Sequence, residues 1–337
     1  MERKTYGSIV EKYGNKEGEV NISFGLRPSG TIHLGNMMTM ALAAGLARDI
    51  GPHRTNLNVT ICDLDLPDGC DWDTRKYGFV KHYRNIPGSE DGEYSMAEHA
   101  TNDIKGFLGS LEKVVHARYE FRTLTDIQRD ERFREGVKRI LDNPDAMKFI
   151  LPKLPKNSVL VYPLCERCDT SYSGNRKGKK ITYENGVIHS FCTNPDCSVD
   201  EYDMDVTDTS QDLAVHLFID PLRDAVMEPF ADVHVFGGDY AVEHGANKVP
   251  KFEKIARLID MAASGAKVPD LFIGPTIYAK DGNKMSKSLV NGLDFTHLRN
   301  FLGEEEYPAR ILDFTMSLVK EGYNHVDYAT VSERLLS

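Results

Sequence analysis

The chain has 337 residues, 41% of them hydrophobic and 27% charged, and carries a net charge of −10 at pH 7. That length allows a large core and two or three domains, with the composition of an ordinary globular protein. The acidic balance excludes broad, non-specific nucleic-acid binding, which rests on excess Lys and Arg, and no apolar run approaches the roughly 20 residues that span a bilayer. Behind Met1-Glu2-Arg3-Lys4 lies no apolar stretch of the kind a secretory signal carries, so a cytoplasmic protein without a membrane partner is expected.

In chain order, Val20 to Leu26 reads as a short buried strand running into the breaker cluster Arg27-Pro28-Ser29-Gly30-Thr31. From Leu34 to Asp49 the apolar residues recur at helical spacing, and Asn56 to Cys62 is a second strand. Strand, turn, helix and strand are the unit of a doubly wound parallel sheet, whose ligands sit beyond the carboxyl ends of the strands. The stretch from Asp63 to Tyr94 has little periodicity and reads as a long functional loop. A helix over 95–111, a strand over 114–121 and a long charged helix over 125–141 follow. Further on, a strand over 233–236 leads to Gly237-Gly238-Asp239, then come a helix over 249–263, a strand over 271–273 and a mostly helical end over 295–336.

Residues 156–208 differ in character. Cys165 and Cys168 form one close pair, Cys192 and Cys197 another, with 23 residues between the pairs. Close pairs outside an oxidising compartment favour a metal over disulfides. Four thiolates suit a closed, tetrahedral, structural Zn²⁺ site of the ribbon type. Asn185-Gly186 between two β-like runs signals a hairpin, and His189 reads as a strand residue in preference to a substitute ligand. Arg176 to Lys180 is a basic cluster that suits either an acceptor phosphate or a solvated loop.

Two short strings carry the chemistry. His33-Leu34-Gly35-Asn36 opens the first helix, where free N–H groups and the helix dipole favour a phosphate. His33 can donate to a phosphate oxygen, and Gly35 leaves room for a base. About 250 residues later, Lys284-Met285-Ser286-Lys287-Ser288 puts two ammonium groups and two hydroxyls on a loop. Lysines so placed stabilise charge that builds on a phosphoryl group. Each string has a plain alternative: a turn with a solvated His, and a basic surface loop.

Together, in this order, the strings resemble the two catalytic signatures of class I aminoacyl-tRNA synthetases, the first ending in Asn36 where His is usual. Gly237-Gly238-Asp239 followed by His244 is similar to a third pattern of that class. Within the class, the chain most resembles class I lysyl-tRNA synthetase over about residues 20–320. The likeness rests on Pro28-Ser29-Gly30 before the His33 string, Ala97-Glu98-His99, a cysteine-bearing insertion, and Asp220-Pro221 with Arg223 before Glu228-Pro229. It departs from lysine enzymes at Ser23-Phe24-Gly25, His216-Leu217-Phe218-Ile219 and Asp239-Tyr240, near the expected amino-acid pocket.

The resemblance implies a Rossmann-like, doubly wound α/β domain over 1–155 and 209–275, a zinc-ribbon-like insertion over 156–208, and a catalytic lysine loop with a short helical region over 276–337. It implies amino-acid activation with ATP and Mg²⁺. His33, Lys284 and Lys287 would be catalytic. ATP would meet Pro28, Ser29, Gly30, His33, Gly35, Asn36, Gly237, Asp239, His244, Met285, Ser286 and Ser288. Gly25, Asp63, Asp65, Asp220 and Tyr240 would line the amino-acid pocket, the two aspartates pairing with a cationic side chain such as lysine's. Trp72 and Tyr94 would join them, while Cys62 and Cys70 read as structural thiols. Only 49 residues follow Ser288, fewer than the anticodon-binding region of lysyl enzymes requires. The expected acceptor is therefore the end of a tRNA, or, for a relative without that region, a small molecule or carrier protein. A catalytically silent binding module is the reading that the intact lysines oppose.

Overall fold

Period-two alternation governs the centre of the molecule. In Val20–Leu26 and Thr55–Ile61 the apolar residues Val20, Ile22, Phe24 and Leu26, and Leu57, Val59 and Ile61, share one face and are buried. A computed structural model describes residues 4–65, 79–88, 92–150, 159–172, 180–215, 222, 231–238, 269–283, 285 and 293–337. Helix α1 (Tyr6–Gly14) precedes β1 (Val20–Leu26), α2 (Leu34–Ile50) and β2 (Thr55–Ile61). A short β3 (Phe79–Val80), α3 (Met96–Val115) and β4 (Arg118–Thr123) follow.

The expected strand over 114–121 begins later. α3 runs on to Val115, and His116 closes it at φ 59 before β4 starts. The single long helix over 125–141 is two, α4 (Leu124–Gln128) and α5 (Glu131–Leu141). Asp130 breaks them by accepting a bond from the Arg132 N–H as the cap of the second. The chain continues through α6 (Pro144–Ile150), β5 (Val161–Pro163), β6 (Ser171–Tyr172), β7 (Thr182–Glu184), β8 (Val187–Phe191), β9 (Glu201–Asp205) and β10 (Leu213–Val215). Then come β11 (Val233–Phe236), β12 (Asp270–Ile273), β13 (Thr276–Ile277), α7 (Phe295–Leu302), α8 (Tyr307–Lys320), β14 (His325–Val326) and α9 (Tyr328–Arg334). The expected helix over 249–263 lies outside the described residues.

Among the described residues, five parallel strands form the central sheet in the order β12-β11-β1-β2-β4. The chain leaves β1 towards β2 and β4 on one side and returns to β11 and β12 on the other. β1 and β11 therefore flank the switch point where ligands of such sheets bind. Helix α2 is buried almost all round, which suits a helix packed on the sheet by one side and covered by other helices on the rest. α1, α3, α7 and α8 share its core cluster. The opposite face of β1 and β2 is polar, with Asn21, Ser23, Asn56, Asn58 and Thr60, and the Ser23 hydroxyl lies 3.0 Å from Nδ1 of His234 on β11. A fold of parallel sheet and flanking helices agrees with the sequence expectation.

A second apolar cluster gathers Phe133, Val137 and Ile140 of α5 with Val161, Tyr172, Ile188 and Met204 of the cysteine-bearing segment and Leu213 just after it. Within it, β7 and β8 form the expected hairpin, with Asn185 and Gly186 both at positive φ. β3, downstream of β2, pairs antiparallel with β6, downstream of the first cysteine pair.

Beside this junction His82 is fully buried. Its Nδ1 lies 2.7 Å from the Leu64 carbonyl and its Nε2 2.9 Å from the Ser171 hydroxyl. The carbonyl needs Nδ1 to be protonated, so Nε2 accepts from Ser171 and the ring is neutral. Burial in particular holds its pKa down at about 4, against 6.5 for an exposed imidazole. Between those values the unfolded chain binds a proton that the folded one refuses. Stability is therefore complete above pH ~6.5 and falls as the pH drops towards 4. Urea unfolding at pH 7.5 and 5 checks this: the wild type is expected to lose about 2 kcal/mol more than His82→Gln over that interval.

Candidate active site

Turn 27–32 joins β1 to α2 at the switch point, and Gly30 takes φ 104, a conformation that side chains disfavour. His33 caps α2. Its Nδ1 accepts the Gly35 N–H at 3.0 Å, and its own N–H donates to Oδ1 of Asn36 at 3.3 Å, closing a reciprocal capping box. With Nδ1 used as an acceptor, a neutral His33 carries its proton on Nε2, which is then a donor. The amide NH₂ of Asn36 makes no hydrogen bond among the described residues.

The segment after the lysine loop closes onto this cap. Leu34 N–H donates to the Leu293 carbonyl at 2.8 Å, and Phe295 N–H donates to the Ile32 carbonyl at 2.9 Å, so His33 and Asp294 face each other in an antiparallel bridge. The expectation of a row of free N–H groups at the start of α2 is corrected here. Those of Leu34 and Gly35 are taken by Leu293 and His33. The near side of the loop is held by Met285, buried, whose N–H donates to the Ile277 carbonyl at 2.8 Å. Lys284, Ser286, Lys287 and Ser288 lie outside the described residues, as do Asp220, Asp239, Tyr240, His244, Trp72 and Cys70.

The turn after β11 is packed without clearance. A Cβ on Gly237 would stand 2.9 Å from Oγ1 of Thr39 on α2, and one on Gly238 would stand 2.4 Å from the backbone of Pro275 and Thr276. The turn thus rests on both α2 and the segment leading to the lysine loop. Gly25 is exposed near the end of β1, where a Cβ would meet Cys62 Sγ and the Thr60 carbonyl at ordinary contact distances.

The two aspartates after β2 are both engaged. Asp63 is buried and accepts from Oγ1 of Thr125 at 2.5 Å and from its N–H at 3.2 Å; burial pushes its carboxyl up. Asp65 pairs with Arg27 Nε at 3.0 Å across the ends of β1 and β2. Tyr94 is exposed and Cys62 half-buried.

The Sγ atoms of Cys165, Cys168, Cys192 and Cys197 all lie within 4.8 Å of one another. The 3.8 Å from Cys165 to Cys197 and 3.5 Å from Cys168 to Cys192 are far beyond a disulfide bond. Burial pushes the Cys192 thiol up. It also opposes ionisation of Cys168, yet the Thr170 hydroxyl and Cys192 bring that thiol down to about 7. Four convergent sulfurs, one of them poised to ionise, fit a tetrahedral soft metal ion. His189 instead pairs with Asp203 at 2.7 Å, on the surface. Lys180 is exposed, and the rest of the basic cluster lies outside the described residues.

Sequence reasoning missed His82, Arg84, Thr125 and Asp212, which tie the cysteine segment to the end of β2. Their partners are 18 to 128 residues away, and no motif marks them.

The family described as tRNA synthetases class I (K) matches residues 3–203, more than half of the chain. The chain belongs to this family. It is an amino-acid-activating ligase of the class I aminoacyl-tRNA synthetase type, and the family implies ATP as co-substrate. Solved structures similar to this synthetase include the tyrosyl-tRNA synthetase of Archaeoglobus fulgidus complexed with L-tyrosine, at 16% identity and TM-score 0.41, covering 94% of this chain and 77% of that one. The methionyl-tRNA synthetase of Mycobacterium tuberculosis bound by methionyl-adenylate matches at 12% identity and TM-score 0.42, over 94% and 68%. The tyrosyl-tRNA synthetase of Aeropyrum pernix matches at 12% and 0.42, over 85% and 68%. Likenesses this distant add nothing to the family assignment. Among curated proteins no match is found. No helix among the described residues is long and apolar enough to cross a membrane.

Gly238→Ala is expected to lower stability by ~2 kcal/mol or more, because backbone cannot yield to the new methyl. Gly106→Ala, in open space on α3, is expected to raise it by up to ~1 kcal/mol. Urea unfolding of the two synthetase variants checks both signs.

Proposed function

We propose that the chain adenylates lysine and passes the lysyl group to the acceptor end of a tRNA. A carboxylate oxygen of the amino acid attacks the α-phosphorus of ATP, the bond to the bridging oxygen breaks, and pyrophosphate leaves. The observation that supports this reading is the pairing of Ile32 and Leu34, on either side of His33, with Leu293 and Phe295, which follow the lysine string closely in sequence.

In this reading, Nε2–H of His33 and the amide NH₂ of Asn36 donate to the phosphates, beside Pro28, Ser29, Gly30 and Gly35. Lys284 and Lys287, with Met285, Ser286 and Ser288, close on the triphosphate with Mg²⁺ and stabilise the charge that builds on it. Gly237, Asp239 and His244 hold the ribose or the amino group. Zn²⁺ is the ion that suits the four cysteine sulfurs, holding an insertion over about 156–208 in place.

Lysine is supported by the K of the family description. Gly25, Asp65, Asp220 and Tyr240 form the proposed pocket wall. Asp63, already bonded to Thr125, contributes by shaping the wall. Asp65 is the carboxylate that can take the substrate ammonium, and to do so it must exchange Arg27 for it.

Pyrophosphate–ATP exchange run across the standard amino acids tests the reading. Lysine is expected to give the strongest signal, with its KM raised on the order of tenfold in Asp65→Asn. No exchange with any amino acid would sink the activity, and a neutral amino acid as best substrate would sink the role of Asp65. Charging of total tRNA in the same reaction separates a tRNA acceptor from a small-molecule or carrier-protein acceptor.

A further inference from the structure

Arg84 sits where three parts of the chain meet. Its Nε donates to Oδ2 of Asp169 at 2.9 Å and its Nη2 to Oδ1 of the same carboxylate, a two-pronged pair. Its Nη1 donates to Oδ2 of Asp212 at 2.8 Å and to Oγ1 of Thr125 at 3.0 Å. Four of the five guanidinium N–H directions are thus aimed at partners. Asp169 follows Cys168 directly and takes φ 53 in the turn that shapes the first cysteine pair. The amide of Asn85 donates to both the carbonyl and the carboxylate of Asp169, at 2.8 and 2.7 Å. Arg129 holds the far side of Asp212 through two bonds of 2.7 and 2.8 Å.

The same network reaches the end of β2. The Thr125 hydroxyl that accepts from Arg84 donates its own proton to Asp63, and the Arg84 N–H donates to the Asp63 carbonyl at 3.1 Å. His82 adds a parallel link from Leu64 to Ser171. From Cys168 to Asp63 the path is therefore Asp169, Arg84 and Thr125, each step a hydrogen bond or a peptide bond. The Arg84 and Asp212 side chains are 19% and 10% exposed, so water screens that pair weakly, while Asp169, 41% exposed, is held by two-pronged geometry and the Asn85 amide.

We propose that Arg84 is a positioning residue that locks the four-cysteine metal knuckle to the carboxyl end of β2, so that the bound metal orders the amino-acid side of the site. This rests on the reading that the amino acid lies beyond the end of β2. Zn²⁺ supplies only the clamp on the four sulfurs; the ordering is done by Asp169, Arg84, Thr125 and Asp63. Arg is needed for geometry as well as charge, since a lysine ammonium cannot span Asp169 and Asp212 in one plane.

The test uses zinc-loaded full-length wild type, Arg84→Lys and Arg84→Ala. The first readout is the rate of zinc transfer to a colorimetric chelator. The second is the separate KM of lysine and of ATP in pyrophosphate exchange. Both variants are expected to release zinc faster, by about tenfold in the alanine form. The lysine KM is expected to rise by a similar factor while the ATP KM stays within about twofold, with Arg84→Lys in between. Faster zinc release with an unchanged lysine KM would overturn the link. So would equal rises in both KM values, the mark of a general loss of structure, or no change at all. If the alanine form does not fold, the lysine form supplies the same readings. Absence of exchange in the wild type would count against the proposed activity, while the zinc-release comparison would still stand by itself.

Discussion

Two backbone hydrogen bonds, between Leu34 and Leu293 and between Phe295 and Ile32, join parts of the chain about 260 residues apart. They sit at the amino end of α2, where a helix has N–H groups with no internal partner. By taking the first of those groups, the returning segment 293–295 fixes where α7 starts. The His33–Asn36 box takes the next group and sets the imidazole tautomer. The box leaves the Asn36 amide NH₂ without a hydrogen bond among the described residues. A phosphate site built this way is narrower than a bare helix end, and its donors are held in place before the ligand arrives.

The polar face of the sheet serves the same end. β1 and β2 alternate strictly, unlike strands covered by apolar surface on both sides. One face anchors α2 and, through it, α3 and α8. The other carries Ser23, Asn58 and His234 in one row across three strands. Backbone contact at Gly238 then links the turn after β11 to the segment entering the lysine loop. The switch point is closely packed on the sides that the described residues cover.

Most of the fold was legible from local pattern. A short apolar-rich run ending in a breaker cluster marked β1, a second such run marked β2, helical spacing marked α2, and Asn185-Gly186 marked its hairpin. The errors were boundaries: α3 runs past the expected strand start to its cap at His116, and Asp130 splits a helix whose charge pattern read as continuous. The cysteine set was legible because sulfur spacing is a chemical statement in itself. The aspartates after β2 were not. Nothing local tells that Thr125 occupies Asp63 or that Arg27 occupies Asp65, since those partners arrive through the fold. Arg84 was invisible for the same reason, its partners standing 41, 85 and 128 residues away.

The central claim is that the His33 cap and the 293–295 segment form one unit that holds ATP. Amide hydrogen exchange read by mass spectrometry, with and without Mg-ATP, tests it most directly. Peptides covering 32–36 and 293–297 should gain protection together, while a peptide covering 201–205, in the hairpin sheet, should not change. Protection of the first without the second, or of neither, would contradict the account.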